Sequence, residues 1–325
     1  MNNNTIKFSI TKEDVGNRLD LVLAKRITHL TRSKLKKIIE SKNVKINSYI
    51  VSSPSKKLKL NESVVVNLLE KERNKIEPSK IKLDVIYEDK DILVVNKPSG
   101  MVVHPGAGNF KKTLVNALIY KYKKKLSNIN GNLRPGIVHR IDKETSGLLV
   151  VAKNNFAHYK LSKQFSEHTI KRKYLALVWG VVRPLNGKIE TLISRSKKNR
   201  QLMAVSEVNG KNAITNYCTQ KVYRINDIPR ISLIECELET GRTHQIRVHM
   251  KFLGNNIVGD DTYKKKFKKI KNIDPRLEER LLNLKRQFLH AKTIGFIHPK
   301  KNKEMIFNSN LPQELEKIIK ILGNT

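Results

Sequence analysis

The sequence is poor in cysteine, aromatic residues and acidic residues. Its 325 residues include 2 cysteines, 1 tryptophan and 29 Asp+Glu. Cys218 and Cys236 are too far apart for a CxxC pair and too few for a disulfide framework or a structural metal site, so we predict two buried reduced thiols. No apolar run reaches the roughly 18 residues that a membrane-spanning helix needs. The N-terminal segment lacks the apolar core and cleavage site of a signal peptide, so we expect a cytoplasmic protein without membrane contact.

The shortage of acidic residues leaves the chain strongly basic. Against 65 Lys+Arg the net charge is +36, far more than solubility requires. A polyanionic partner explains such an excess, and on charge alone RNA, DNA and an anionic membrane surface all fit. The composition, rich in Lys, Asn and Ile, is also typical of an A/T-rich genome, which accounts for part of the excess without any function.

Hydrophobic periodicity separates a small N-terminal domain from a larger one. After Arg18 and again after Thr31, apolar residues recur every three or four positions, which predicts two helices. Short alternating runs then predict strands around an Asn47-Ser48 turn. This helix-helix-hairpin unit is assigned to residues 17–75. A polar stretch with a proline predicts a linker at 76–82.

Residues 83–325 predict a mixed α+β domain. Short strands and helices, the latter at 113–123 and 155–167 for example, do not alternate regularly enough for a doubly wound parallel sheet. The expected strands include Ile246–His249. The segment 263–272 is predicted to be a basic loop or tether.

Asp142 stands in a segment whose pattern suits a catalytic carboxylate. The segment IVHRIDKETSG (137–147) leads directly into an apolar strand, so this carboxylate is expected to be partly desolvated and rigidly placed. An aspartate in such a loop also commonly caps or turns the chain. The residues alone leave both interpretations open.

Two further segments combine polar residues with strand patterns. In ETGRTHQIRVH (239–249), alternation predicts that Arg247 shares a strand face with Gln245 and His249. These residues suit a carboxylate or phosphate contact, or a solvated face; the histidines lack the acidic or thiol partners of a metal site, and no metal is expected. In IKRKYLALVWG (170–180), Tyr174 fits a half-buried strand residue or a stacking platform for a base.

Together these motifs resemble the pseudouridine synthases of the ribosomal large-subunit type, the RluA/RluD group. HRIDKETSG is similar to the family's catalytic-aspartate motif, KRKYLALV to its tyrosine motif and ETGRTHQIRVHM to its arginine motif, while VVHPGAGN is similar to the RluD type. The N-terminal unit resembles an S4 RNA-binding domain through RLD, TRSKLKKII and VKIN. It departs from that pattern at Ser48 and at Asn61-Glu62, where glycine-containing turns are usual.

The resemblance implies a mixed, largely antiparallel synthase core preceded by a small S4-like domain, and it implies roles for single residues. Asp142 is the expected catalytic carboxylate, Arg247 its ionic partner and Tyr174 the residue that stacks on the target base. Arg140 is expected to fill the space of the displaced uridine or to grip a flanking phosphate. His104 and His139 are expected to be structural. RNA contacts are further expected from a set of basic side chains: Lys143, Arg242, Arg32 and Lys36.

The implied activity is isomerisation of uridines in 23S ribosomal RNA, in a stem-loop of the RluD-target type, free or within the assembling large subunit. No cofactor is required, no DNA is expected as a partner, and a monomer is expected. Alternatives are a non-catalytic RNA-binding or ribosome-assembly factor and a sister synthase for other rRNA uridines. An S4-bearing methyltransferase would need a Gly-rich loop between a strand and a helix, and Gly106-Ala107-Gly108 is not followed by a suitable helix start.

Overall fold

The structure, a computed structural model, describes residues 5–28, 30–68, 76–106, 108–123, 125–131, 133–224, 230–263 and 274–323. The chain forms two compact units, 1–75 and 76–325. Residues 69–75, predicted as the end of the first domain, and 264–272 of the predicted basic loop lie outside the described residues. No helix within the described part of the chain is long and apolar enough to cross a membrane.

The first unit packs two helices against a four-stranded sheet with the order β1-β4-β2-β3. Its core consists of apolar residues from the helices and strands, including Leu23, Leu35 and Val64, which are fully buried. Strand β1 precedes the predicted start of this domain at residue 17 and completes the sheet by pairing with β4. The elements are β1 (Thr5–Ser9), α1 (Leu19–Arg26), α2 (Arg32–Glu40), β2 (Val44–Ile46), β3 (Tyr49–Val51) and β4 (Ser63–Asn67).

The second unit is built on a ten-stranded mixed sheet. Residues 76–82, predicted as a linker, belong to this unit, where the Asn116 side chain donates to the carbonyl of Glu77. Its strands are β5 (Asp84–Glu88), β6 (Ile92–Lys97), β7 (Ser146–Ala152), β8 (Lys171–Trp179), β9 (Asn186–Arg195), β10 (Met203–Ser206), β11 (Lys211–Tyr223), β12 (Ile231–Leu238), β13 (Leu289–Ile297) and β14 (Glu304–Asn308). Its helices are α3 (Leu114–Tyr122), α4 (Asn155–Ser166), α5 (Gln245–Phe252), α6 (Pro275–Asn283) and α7 (Gln313–Gly323).

The strand order confirms the predicted α+β class with a mostly antiparallel sheet. The order is β10-β9-β11-β12-β8-β13-β7-β6-β5, with β14 beside β13. Every named pair is antiparallel except β13 with β7, which meet over a short parallel stretch. Strands β6 and β7 are buried on both faces, because α3 covers one face and α4 the other. This continuous burial explains why both strands read as apolar runs rather than as alternating patterns.

Two local predictions are wrong. The segment Ile246–His249, predicted as a strand, lies within helix α5, and six successive residues of that helix, from Gln245 to Met250, are buried. Gln245, Arg247 and His249 of this helix are buried and hydrogen-bonded within the protein, so they do not mark an exposed face, and their alternation with Ile246 and Val248 is typical of a strand. Cys218, predicted to be buried, is exposed, whereas Cys236 is buried; both are free thiols.

Candidate active site

Residues from all three predicted motifs line one pocket of the second unit. Asp142 comes from the loop that precedes β7, Tyr174 from β8 and Arg247 from α5. Arg140 and Arg242 also line the pocket. Residues that are far apart in the sequence therefore meet at the centre of the sheet, as the shared resemblance of the motifs predicts.

The loop that carries Asp142 is tightly held at both sides. Ile141, just before it, is buried, and the backbone N–H of Thr145 donates to the Asp142 carbonyl over 3.2 Å. Gly147 has a φ of +116°, and a Cβ there would lie 2.3 Å from the carbonyl oxygen of Ala291, so only glycine lets β7 start this close to β13. The Asp142 side chain is 18% exposed and opens into the pocket. This is the rigid, partly desolvated carboxylate that the sequence pattern suggests.

Lys97 holds the Asp142 loop in place, a role that was not predicted from the sequence. Its ammonium group donates to the carbonyls of Pro98, Met101 and Lys143 over 2.7, 2.8 and 2.9 Å. The side chain is 1% exposed, and burial lowers the pKa of Lys97 to about 7. Only the protonated amine supplies three donors, so the three carbonyls favour the charged form. Lys97 thereby links the loop after β6 to the loop that carries Asp142.

Arg247 bridges two carboxylates rather than serving Asp142 alone. Its Nε and Nη2 donate to Asp260 over 2.7 and 2.8 Å, and both side chains are buried. Nη1 lies 3.5 Å from Asp142 Oδ2. Asp142, the predicted partner of Arg247, is therefore the more distant of the two carboxylates. No local feature of the sequence connects Asp260 with Arg247.

Helix α5 determines where Arg247 points. Gln245 and His249, one helical turn apart, fasten the helix to the sheet: the Gln245 amide and His249 Nδ1 both meet Thr215 Oγ1 of β11 at 2.9 Å. Arg247 therefore does not share their face, contrary to the strand-based prediction. It lies on the side of the helix that faces the pocket.

Tyr174 and Arg172 contribute the β8 side of the pocket. Burial raises the pKa of Tyr174 to about 12, so its hydroxyl stays protonated at neutral pH. Arg172, which was not predicted as a site residue, is buried and donates from Nη2 to the carbonyls of Leu238 and Glu239. The signal for Arg172 was its place two residues before Tyr174, on the same side of the strand.

Three basic residues predicted to contact RNA differ in their positions. Arg140 is exposed at the mouth of the pocket. Arg242 lines the pocket and donates from Nε to the carbonyl of Asn212. Lys143 is exposed, outside the pocket lining, and its ammonium lies 3.7 Å from Glu144 Oε1.

The two histidines predicted to be structural have different environments. His139 accepts a hydrogen bond from the backbone N–H of Val150 and stacks on Phe165, with ring centroids 4.6 Å apart. Burial lowers its pKa to about 3, so the ring is neutral. His104 has a pKa lowered to about 4 by burial, with a contribution from nearby arginines. Neither contacts Asp142 in the described residues.

In the first unit the two predicted RNA contacts lie on helix α2 and have acidic partners. Arg32 donates from Nε and Nη2 to Oδ2 of the buried Asp20 over 3.0 and 2.7 Å. Lys36 lies 3.8 Å from Glu40, one turn later. Both remain about half exposed, at 53% and 56% of their side chains.

One cluster of metal-ligand residue types, Asp89, Asp91 and His298, lies outside the pocket. His298 Nδ1 accepts from two backbone N–H groups, so Nε2 carries the proton and donates to Asp89. Asp89 also accepts from the backbone and from Tyr87. These contacts describe a hydrogen-bonded junction whose histidine has no lone pair left for an ion.

Comparisons with known proteins point to one family. A family profile described as RNA pseudouridylate synthase matches residues 91–252, which include Asp142, Tyr174 and Arg247. The chain is 46% identical over 321 residues to the ribosomal large subunit pseudouridine synthase D of Zymomonas mobilis, covering 98% of each protein. It is 40% identical over 319 residues to the RNA pseudouridine synthase YlyB of Bacillus subtilis, again covering 98% of each.

The fold has a counterpart among solved structures. Human RNA pseudouridylate synthase domain containing 4 superposes with a TM-score of 0.56 at 22% identity, over 74% of this chain and 92% of that one. Identity over almost the whole length and the matched segment confirm the family that the motifs resemble. The chain belongs to the RNA pseudouridine synthase family.

Proposed function

We propose that this isomerase converts specific uridines of 23S ribosomal RNA to pseudouridine, with Asp142 as its essential carboxylate. The observation that carries the proposal is the pocket in which Asp142, Tyr174 and Arg247 meet. The name of the Zymomonas mobilis relative adds the large ribosomal subunit as the source of the substrate. A stem-loop of the kind modified by the RluD type is the expected target.

The chemistry needs little beyond these side chains. The N1–C1′ bond of uridine breaks, the base turns, and C5 bonds to C1′, with no net redox change and no group donor, so no cofactor is required. Asp142 can attack the sugar, attack the uracil ring or remove a sugar proton. In each role it acts as an anion, and Nη1 of Arg247, 3.5 Å away, is a cationic neighbour that can hold it in place.

Substrate contacts follow from the lining of the pocket. A base in a duplex cannot reach a recessed carboxylate, so the target uridine leaves its stack and Tyr174 stacks on it, a contact worth roughly 1–3 kcal/mol. Arg140, exposed at the mouth, occupies the vacated space or holds the flanking phosphate. Arg242 and Lys143 serve as phosphate contacts.

The first unit supplies additional RNA affinity as an S4-like domain. Helix α2 exposes two further lysines, Lys34 and Lys37, beside Arg32 and Lys36, whereas its Leu35 and Ile39 are buried. Contacts of this kind are to phosphates, so binding should weaken as salt rises. The proposal includes a monomeric, cytoplasmic enzyme that acts on free RNA or on an assembling subunit.

Tritium release from large-subunit ribosomal transcript carrying 5-³H-uridine tests the proposal. We expect release with the wild type and none with Asp142→Asn, while RNA binding is retained. Glu144→Gln is the matched control, because it makes the same chemical change two residues away, on a half-buried side chain outside the pocket lining. It should release tritium at nearly the wild-type rate.

Two results would contradict the proposal. Absence of release from every ribosomal RNA and subunit substrate would exclude this activity and leave RNA binding as the function to explain. Release by Asp142→Asn at the wild-type rate would exclude Asp142 as the essential carboxylate.

A further inference from the structure

His244 stands beside the catalytic carboxylate in an unusual backbone conformation. It caps the N-terminus of α5 with φ 56° and ψ 22°, in the left-handed region that few non-glycine residues adopt. Its Nε2 lies 3.9 Å from Asp142 Oδ2, and its side chain is 24% exposed in the pocket. His168 adopts a similar φ of 59° outside the pocket lining, so the position of His244 beside Asp142, rather than its backbone conformation, indicates a function.

A chain of hydrogen bonds fixes which ring nitrogen of His244 carries the proton. The backbone N–H of Met203 donates to the hydroxyl oxygen of Tyr263 over 3.0 Å. That hydroxyl lies 2.9 Å from His244 Nδ1, which is the acceptor available to it among the described residues. Tyr263 therefore donates to Nδ1, and in the neutral ring the proton must reside on Nε2.

Tyr263 is itself held on every side. Its ring is 1% exposed and lies under the guanidinium of Arg247, 4.9 Å from the ring centroid. Its backbone N–H donates to Asp260 and its carbonyl accepts from the Asn256 amide. The hydroxyl therefore has little freedom to turn away from His244. Burial lowers the pKa of His244, although the nearby carboxylate of Asp142 acts in the opposite direction. The lowered pKa keeps the ring neutral at neutral pH.

We propose that His244 is a further catalytic residue, whose Nε2–H donates a hydrogen bond to a uracil carbonyl oxygen of the bound nucleotide, and that Tyr263 is its positioning residue. This rests on the proposed function. Nε2 and Asp142 open side by side into the same pocket, so a nucleotide whose glycosidic bond lies at Asp142 brings O2 of its base next to Nε2. O2 is the carbonyl oxygen nearest to that bond.

The hydrogen bond would stabilise developing charge in two of the three roles open to Asp142. If Asp142 attacks the sugar or removes a sugar proton, the N1–C1′ electron pair leaves with uracil and is shared by N1, O2 and O4, and a fixed neutral donor at O2 stabilises that charge without transferring a proton. If Asp142 attacks C6 of the ring, the electron pair moves onto C5 and O4, so the hydrogen bond to O2 orients the base. The proton lost from C5 and the proton gained by N1 are not transferred by His244.

Nitrogen-15 NMR of the imidazoles in the full-length protein tests the tautomer without any substrate. We expect the His244 resonances, identified by their loss in His244→Gln, to show protonated Nε2 and unprotonated Nδ1 near pH 7.5. In Tyr263→Phe the Nδ1 donor is gone, and both tautomers should appear. A proton on Nδ1 in the wild type would overturn the proposal.

Kinetics of tritium release test the catalytic role. Replacing His244 by Phe keeps the ring shape and removes the donor, so kcat should fall about 10²–10³-fold with KM changed only a few-fold. Replacing it by Gln retains an N–H near the same place and should recover most of the loss. His168→Phe is the matched control, since His168 is an exposed histidine with φ 59° outside the pocket lining.

The outcomes separate this proposal from the proposed function. No release by wild type on ribosomal RNA would overturn the proposed function and the catalytic role of His244 with it. An active wild type with an equally active His244→Phe would overturn the role of His244 alone. So would a folded, RNA-binding His244→Gln that is as slow as His244→Phe, because packing rather than hydrogen bonding would then be the cause.

Discussion

Replacing Asp260 by Asn removes one charge from a buried ion pair and leaves its volume almost unchanged. The side chains of Arg247 and Asp260 are 6% and 1% exposed. The carboxylate accepts two hydrogen bonds from the guanidinium and two more from the backbone N–H groups of Thr262 and Tyr263, at 3.0 and 3.2 Å. An amide has one oxygen, so its NH₂ group would face the guanidinium Nε if it replaced Oδ2, or Nη2 and both backbone donors if it replaced Oδ1.

The expected loss in the free energy of unfolding is about 3–5 kcal/mol, the usual cost when one partner of a buried pair is removed. That figure measures the buried guanidinium, left with Asp142 3.5 Å away as its anionic neighbour, and the unsatisfied donors, rather than the net contribution of the intact pair. Arg247 would also lose the contact that holds it in place, so catalysis should fall as well.

Urea unfolding followed by tryptophan fluorescence measures this change. The sequence has 1 tryptophan, Trp179 at the end of β8, so the signal reports on the second unit. Asp84→Asn is the matched control: this carboxylate is exposed on β5, and its loss should change stability by no more than about 0.5 kcal/mol. A loss below about 1 kcal/mol for Asp260→Asn would refute the buried pair as described.

Two further predictions use the same assay. Gly147→Ala should destabilise the second unit by at least about 3 kcal/mol, because its Cβ would lie 2.3 Å from the Ala291 carbonyl oxygen; Gly100→Ala, with φ +78° and open space, should cost only the left-handed strain of about 1–2 kcal/mol, and equal losses would contradict this account. Stability should also fall with acidity, because burial lowers the pKa of both His249 and His290 to about 4. In the unfolded chain a histidine has a pKa of about 6.5, so it binds a proton at a higher pH than the buried ring does. Each histidine therefore lowers the free energy of unfolding by about 1.4 kcal/mol per pH unit between roughly pH 6.5 and 4, and has no effect above that range. Equal stability at pH 7.5 and 5 would show that these rings are not buried and neutral.

Much of the fold could be predicted because local signals carried it. Helices α3 and α4 and strand β7 coincide with predicted segments within a few residues, since their apolar patterns and the caps at Thr113 and Asn154 are local features. The class of the sheet followed from the irregular alternation of helices and strands. Asp142, Tyr174 and Arg247 were found because each belongs to a motif.

The remainder depended on contacts between distant parts of the chain. Helix α5 was predicted as a strand because apolar and polar residues alternate in Ile246–His249. The alternation is compatible with a helix here because all four residues are buried. Asp260 and Tyr263 have their roles because the chain around α5 places Arg247 and His244 beside them. Neither role leaves a trace in the local sequence.

The short parallel contact between β7 and β13 divides the site as well as the sheet. Asp142 precedes this seam, whereas Tyr174, His244 and Arg247 all come from the chain that follows β7. A fragment ending at residue 152 would hold the carboxylate, Arg140 and Thr145 but would lack Tyr174, His244 and Arg247. The active site is therefore complete only after β13 has paired with β7. Before that step Asp142 lacks the side chains with which it forms the pocket.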